Sequence, residues 1–200
     1  MSTNNDPPAG GLRLNLGCGR SPLAGWVNVD AVDLPGVDLV VDLDRVAETR
    51  LPYPDGAVDA FALFHVLEHL RDPLALMQEL HRVARPGATA VVRTPHGASD
   101  DAHEDPTHVR AYFPGSFGYF SQPYYWRADY GYRGDWQPER ITLLVSASDL
   151  EREGVDGLWK RIQRERNLVQ EMVAELVAVK PVREPTRALQ RAPLVVLQPS

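Results

Sequence analysis

A chain of 200 residues, 44% of them hydrophobic, holds enough apolar material for one α/β domain with a full core and is short for two. Its formal net charge of -6 supplies no general field for phosphate backbones, which argues against nucleic acid as a partner. The single cysteine, Cys18, excludes an internal disulfide framework, the apolar runs fall far short of the roughly 20 residues that span a bilayer, and the polar opening lacks a secretory signal. A cytoplasmic protein with no membrane partner is expected.

Residues 1–11, polar and holding Pro7, Pro8 and paired glycines, read as a mobile leader. Residues 12–16, 26–30, 37–43, 58–64 and 88–94 are short apolar runs, several ending in an acidic or small polar residue, and suit strands of a parallel sheet buried on both faces. Asp72-Pro73 opens a helix with Leu74, Leu76, Met77, Leu80 and Val83 at helical spacing, stopped by Pro86-Gly87. Between Gly19 and Trp26 only six residues remain, fewer than the dozen or so of a helical crossover, so the first helix is predicted short or missing. Eleven of the sixteen aromatic residues crowd into residues 112–136 among glycines and prolines, which marks an irregular lid spanning about 97–137. A late strand over 140–146, a helix over 157–170 and a final strand over 172–179 complete the domain, which is drawn as 12–181. Residues 182–200 are either a disordered tail or an arm that docks on a second copy in a homodimer.

The most informative segment is the strand running into Gly17, Cys18 and Gly19, because glycines at a strand's carboxyl end let a ligand approach the backbone. Asp30 ends the second strand, where a carboxylate can accept bonds from ribose hydroxyls. Asp42 ends the third; it can accept from an adenine amino group, with Leu43 offering an apolar face to the ring. The plainer alternative is that both aspartates cap loops.

With these residues in place the chain resembles the class I S-adenosylmethionine-dependent methyltransferases, in particular the compact type-11-like ones. The resemblance rests on Leu-Asn-Leu-Gly-Cys-Gly at 14–19, Gly-Trp-Val-Asn-Val-Asp at 25–30, Leu-Pro-Tyr-Pro-Asp-Gly at 51–56, Phe-His-Val-Leu-Glu-His-Leu at 64–70, Asp72-Pro73 and Arg85-Pro86-Gly87. It covers about residues 12–120. It implies a Rossmann-like seven-stranded sheet, S-adenosylmethionine as cofactor, a glycine turn around the methionine part, and Phe64 and His65 lining it. Asn15 stands where many relatives carry an acid, so it can hydrogen-bond but has no charge for the cofactor's ammonium group.

Methyl transfer to a hydroxyl needs a base, and two groups of candidates exist. His65, Glu68 and His69 follow the fourth strand, with His65 and His69 four residues apart on one helical face. Asp100, Asp101, His103, Glu104, Asp105 and His108 follow the fifth and suit a base, ligands for sugar hydroxyls or a site for a divalent cation such as Mg2+. His108, in an Asp-Pro-Thr-His pattern that recurs in similar methyltransferases, is the first choice for the base. Tyr112, Tyr119, Tyr124, Tyr125 and Trp126 either form the core of the lid or present flat faces to a small-molecule or carbohydrate acceptor. The chain also resembles actinobacterial sugar O-methyltransferases that act on methylated mannosides.

Two rival classes remain. His65-x-x-Glu68-His69 fits the His-x-x-Glu-His signature of inverted zinc peptidases, but that chemistry needs a further acidic ligand and leaves the glycine turn unexplained. A non-catalytic S-adenosylmethionine-binding module would keep the pocket and show no turnover.

Overall fold

In a computed structural model, residues 11–200 are described; the leader expected over 1–11 lies almost wholly outside them. Strands β1 (Leu12–Leu16), β2 (Val27–Asp30), β3 (Leu39–Val40), β4 (Val58–Phe64), β5 (Ala84–Pro95), β6 (Trp136–Val145), β7 (Val169–Ala178) and β8 (Leu194–Pro199) form one sheet. Its order is β3-β2-β1-β4-β5-β7-β6-β8. The first five spatial strands run parallel, and β7 lies antiparallel between β5 and β6. Helices are α1 (Val46–Thr49), α2 (Pro73–Val83), α3 (Asp101–Glu104) and α4 (Ala147–Ile162), with short 3-10 turns in the lid.

The apolar runs become strands because their side chains are buried in the sheet: Leu14 and Leu16 of β1, Val29 of β2, and Phe61 and Leu63 of β4 are essentially inaccessible. Asp72 accepts from Ala75 N–H at 3.0 Å and Pro73 occupies the first turn, so α2 starts where its sequence predicts. Leu76, Met77, Leu80 and Val83 form its buried stripe. Burial contributes about 1.5–3 kcal/mol for each such side chain before ordering entropy is subtracted. Trp136 of β6 locks this layer, with its indole N–H donating to Met77 O at 2.9 Å and its ring edge-on to Phe61 at 5.7 Å.

No helix joins β1 to β2, as the six-residue spacing predicts, and buried amides do the work of the missing helix. Asn15 Nδ2 donates to Asn28 Oδ1 at 2.9 Å and to Ser21 O at 3.2 Å. Asn28 Oδ1 also accepts Leu23 N–H at 2.7 Å, and Asn28 Nδ2 donates to Asp38 Oδ2 at 3.1 Å. This network satisfies the polar backbone of the return loop, which would otherwise be costly to bury.

Several elements differ from expectation. The sheet has eight strands rather than seven, because Leu194–Pro199 pairs in parallel with β6 and covers its open edge. That run is an ordered strand, with Val195 and Leu197 packed against the chain's own core. The expected third strand shrinks to two residues, since Asp42 leaves the ladder to cap the next turn. The helical segment α4 breaks at Gly154 (φ 66°, ψ 173°), so the helix predicted from 157 is its second piece and a first piece from Ala147 precedes it; only Leu158 is fully buried along it, so the apolar signal was sparse. It ends at Ile162, and β7 takes up the chain from Val169.

Candidate active site at the carboxyl edge of the sheet

At the end of β1 both glycines adopt left-handed backbone, with φ of 62° at Gly17 and 51° at Gly19. A Cβ at Gly17 would stand 2.6 Å from Val66 Cγ2, whereas a Cβ at Gly19 would meet nothing within 4 Å. Gly17 is therefore required by packing against the segment after β4, and Gly19 opens onto free space. Cys18 is buried between them, its amide donating to Val29 O at 3.1 Å; burial, with Asp30 nearby, pushes its thiol up and away from thiolate chemistry.

Asp30 Oδ2 accepts the Gly19 amide at 2.7 Å and Oδ1 accepts Val32 N–H at 3.0 Å. Each oxygen retains a lone pair, so the carboxylate that shapes the turn can still accept from a ligand. Asp42 is exposed and caps the following turn through Oδ1 to Asp44 N–H at 3.0 Å, which leaves Oδ2 without an intramolecular donor among the described residues. Leu43 is buried in the core, so little of it remains to face a ring. Asn15, 3% exposed, has its amide donors fixed on the return loop and serves as a brace for it. Asn28 and Asp38 escaped sequence reasoning; the signal was a polar residue in the middle of the run Val27-Asn28-Val29.

Beyond β4, Phe64 is exposed and His65 is left-handed at φ 55°, a conformation that costs a non-glycine residue about 1–2 kcal/mol. Two carboxylates hold its ring: Nδ1 lies 3.2 Å from Glu68 Oε1 and Nε2 lies 3.0 Å from Glu171 Oε1. The Glu68 contact outweighs the opposing effect of burial and holds the His65 pKa above the usual imidazole range. Glu171 of β7, itself paired with Arg93, was not foreseen because a glutamate in a half-exposed strand reads as solvated.

The expectation of His65 and His69 on one helical face is corrected. Residues Leu67–His69 form a single 3-10 turn, and His65 lies before it and faces β7. The zinc-peptidase arrangement, which needs both histidines on one α-helix, is not formed. His69 instead meets His108, their ring centroids 4.7 Å apart, and Glu68, His69 and His108 bring one ligand-bearing atom each within 4.8 Å of the others. The second acid-rich group divides. Asp100 pairs with Arg166 and Asn167, and His103 Nε2 contacts Gly97 O at 3.1 Å, while His108 joins the first group and Asp105 reaches His69 through the Thr107 hydroxyl.

The lid partitions its aromatic side chains. Tyr112 and Tyr132 are buried, donating to Leu67 O at 3.2 Å and Phe120 O at 2.9 Å. Tyr119, Tyr124, Tyr125 and Tyr130 join Tyr112 in walling a cleft of about 980 Å3 that also takes in Pro73, Leu74, Val109 and Arg110. Part of the aromatic set thus forms the core of the lid, and part lines an open cleft. Trp126 is outside the cleft and stacks with Arg127 and Arg187.

A strand-end glycine turn followed by an acid at the end of β2, on a sheet of this strand order, directs comparison with methyltransferases. Residues 5–152 match the family model described as a methyltransferase domain. The chain belongs to this family. Among curated relatives, the Rauvolfia serpentina protein named ajmaline N-methyltransferase is 39% identical over 57 residues, 28% of this chain and 20% of that one. A Mycolicibacterium smegmatis protein named a probable S-adenosylmethionine-dependent methyltransferase is 36% identical over 74 residues, 35% of this chain and 29% of that one. The matched segments thus span less than a third of either relative. The crystal structure of an S-adenosylmethionine-dependent methyltransferase from Archaeoglobus fulgidus superposes with TM-score 0.57 at 17% identity, covering 84% of this chain and 86% of that one. That likeness establishes the Rossmann-like methyltransferase fold for the family member described here. No helix among the described residues is long and apolar enough to cross a membrane.

Proposed function

We propose that this chain transfers a methyl group from S-adenosylmethionine to a hydroxyl of a small acceptor, most simply a sugar or oligosaccharide. The observation that carries the reading is the contact between two features at one sheet edge. Gly17 abuts Val66, and the segment that follows Val66 is joined to the tyrosine cleft by Val109 N–H to Glu68 O at 2.8 Å and Tyr112 Oη to Leu67 O. The residues fit the cofactor: Gly19 leaves open space, Asp30 and Asp42 keep acceptor capacity, and Phe64 offers an exposed ring. S-adenosylmethionine supplies an electrophilic methyl carbon on a sulfonium.

Asp30 accepts from ribose hydroxyls while holding the Gly19 amide, and Asp42 Oδ2 accepts from an adenine amino group. The cleft walls offer ring faces and hydroxyl edges of the kind a carbohydrate stacks on, and they exclude water from the acceptor. An alcohol is a poor nucleophile at neutral pH, so its proton passes to the Glu68, His69 and His108 cluster as the new bond forms. His108 is the preferred base because its Nδ1 is buried and unpaired among the described residues. His65 and Glu68 position this edge.

The test is labelled methyl transfer to a pool of sugars, with phenols and amines alongside, read by mass spectrometry. Label on a sugar oxygen is expected, and label confined to amines would overturn the hydroxyl reading. By calorimetry with S-adenosylhomocysteine, Asp30→Ala is expected to weaken binding at least about tenfold, whereas His108→Ala keeps affinity and slows turnover about 10²–10⁴-fold.

A further inference from the structure

Glu68, His69 and His108 come from two segments, the turn after β4 and the first stretch of the lid. Glu68 and His69 each have one polar atom engaged by an outer partner, and all three residues have a polar atom left over. Glu68 is 1% exposed; its Oε1 faces His65 Nδ1, and its Oε2 has no hydrogen-bond partner among the described residues. Thr107 Oγ1 donates to Asp105 Oδ1 at 2.6 Å, so its 2.9 Å contact with His69 Nδ1 requires that nitrogen to be the donor. His69 Nε2 then carries the ring's lone pair. The His108 side chain is 8% exposed, with Nε2 at 3.9 Å from Asp105 Oδ2 and Nδ1 buried without a partner.

Asp105 therefore stands behind His69 through the Thr107 hydroxyl, with its other oxygen 3.9 Å from His108 Nε2. An imidazole backed by a carboxylate through a hydroxyl, as His69 is, matches the outer shell that fixes the tautomer of a metal-ligating histidine. Leaving Glu68 Oε2 and His108 Nδ1 buried without partners costs about 1–3 kcal/mol each, and a cation bound between them would relieve both.

We propose that Glu68, His69 and His108 hold a divalent transition-metal ion of the zinc, cobalt or iron(II) kind, with Asp105 as their shared outer carboxylate. Two imidazoles and one carboxylate suit such ions, whereas Mg2+ and Ca2+ take shells of oxygen. Bonds of about 2.0–2.2 Å put tetrahedral ligand atoms about 3.3 Å apart, so the present spread of up to 4.8 Å closes by turns of the side chains. Three protein ligands leave a position open for a small molecule. His65 is no ligand here; it orients Glu68. The binding site stands on its own geometry, but its use in catalysis rests on the hydroxyl-transfer reading above. With an ion bound, His108 acts as a ligand in place of a free base.

Full-length protein stripped with a chelator and titrated with Zn2+ or Co2+ tests the site by calorimetry and by the visible absorption of bound Co2+. One ion per chain is expected, with Glu68→Gln and His108→Ala each weakening binding at least about a hundredfold and His103→Ala leaving it unchanged. Asp105→Asn changes an exposed side chain and should weaken binding about 10–100-fold in a folded protein. Should either ligand variant lose its circular dichroism spectrum, Asp105→Asn decides. Absence of saturable binding, binding that survives in Glu68→Gln and His108→Ala, or preference for Mg2+ overturns the proposal. Methyl transfer to sugars by metal-stripped protein that takes up no ion overturns this inference alone; ion binding with label only on amines overturns the acceptor reading alone.

Discussion

The glycine edge and the aromatic lid are both irregular chain, yet they are held in opposite ways. At the edge, the return loop is tied by Asn15, Asn28, Asp30 and Asp38, all near one another in sequence, through bonds to backbone within the same stretch. The lid is held by distant groups: Tyr112 by Leu67 O, Arg133 N–H by Gln78 Oε1, and Asp135 by Arg183, whose Nη2 lies 2.7 Å from Oδ1. A ligand site built from neighbours in the chain forms with its own strand and turn. One built from remote partners exists only once the domain has closed.

Cutting the tie with the most bonds should have the largest effect. Asp135 is fully buried and accepts from Arg183 Nε at 2.8 Å, from Arg183 N–H at 3.0 Å and from Gln122 N–H at 3.1 Å. Arg183→Met leaves that carboxylate uncompensated and should cost about 3–5 kcal/mol in urea denaturation, with Asp135→Asn in the same chain restoring part of it. A loss under about 1 kcal/mol would mean that the lid does not depend on this pair.

The two glycines sharpen the contrast within the edge. Gly17→Ala combines left-handed strain with the collision against Val66 and should cost about 2–4 kcal/mol, partly recovered by adding Val66→Ala. Gly19→Ala should cost only about 1–2 kcal/mol, because its methyl meets no atom, but should reduce S-adenosylhomocysteine affinity at least about tenfold. Equal binding in Gly19→Ala and the parent would separate that space from the cofactor.

The smallest effect concerns His65, which joins the edge to β7. Its pKa is raised in the folded state, first by the Glu68 contact, so its stabilising effect is complete below the unfolded value of about 6.5 and is lost as pH rises through the folded value. His65→Asn, which tolerates the left-handed backbone, should lower the melting temperature by about 1–2 °C at pH 6 and by less at pH 8. A difference that grows with pH would reverse the assignment.

The sequence by itself determined the parallel half: the strands β1, β2 and β4, the capped start of α2 and the absent first helix. Period, caps and loop length are local quantities that tertiary contact only reinforces here. It also singled out Gly17, Gly19 and Asp30, since strand-end chemistry shows in adjacent residues. Tertiary structure alone decided that Asn15 braces a loop, that His69 meets His108 across 39 positions while His65 turns to Glu171, and that residues 194–199 close the β6 edge. Each of those outcomes depends on which distant surface a polar or weakly apolar side chain meets, and spacing along the chain carries no record of that.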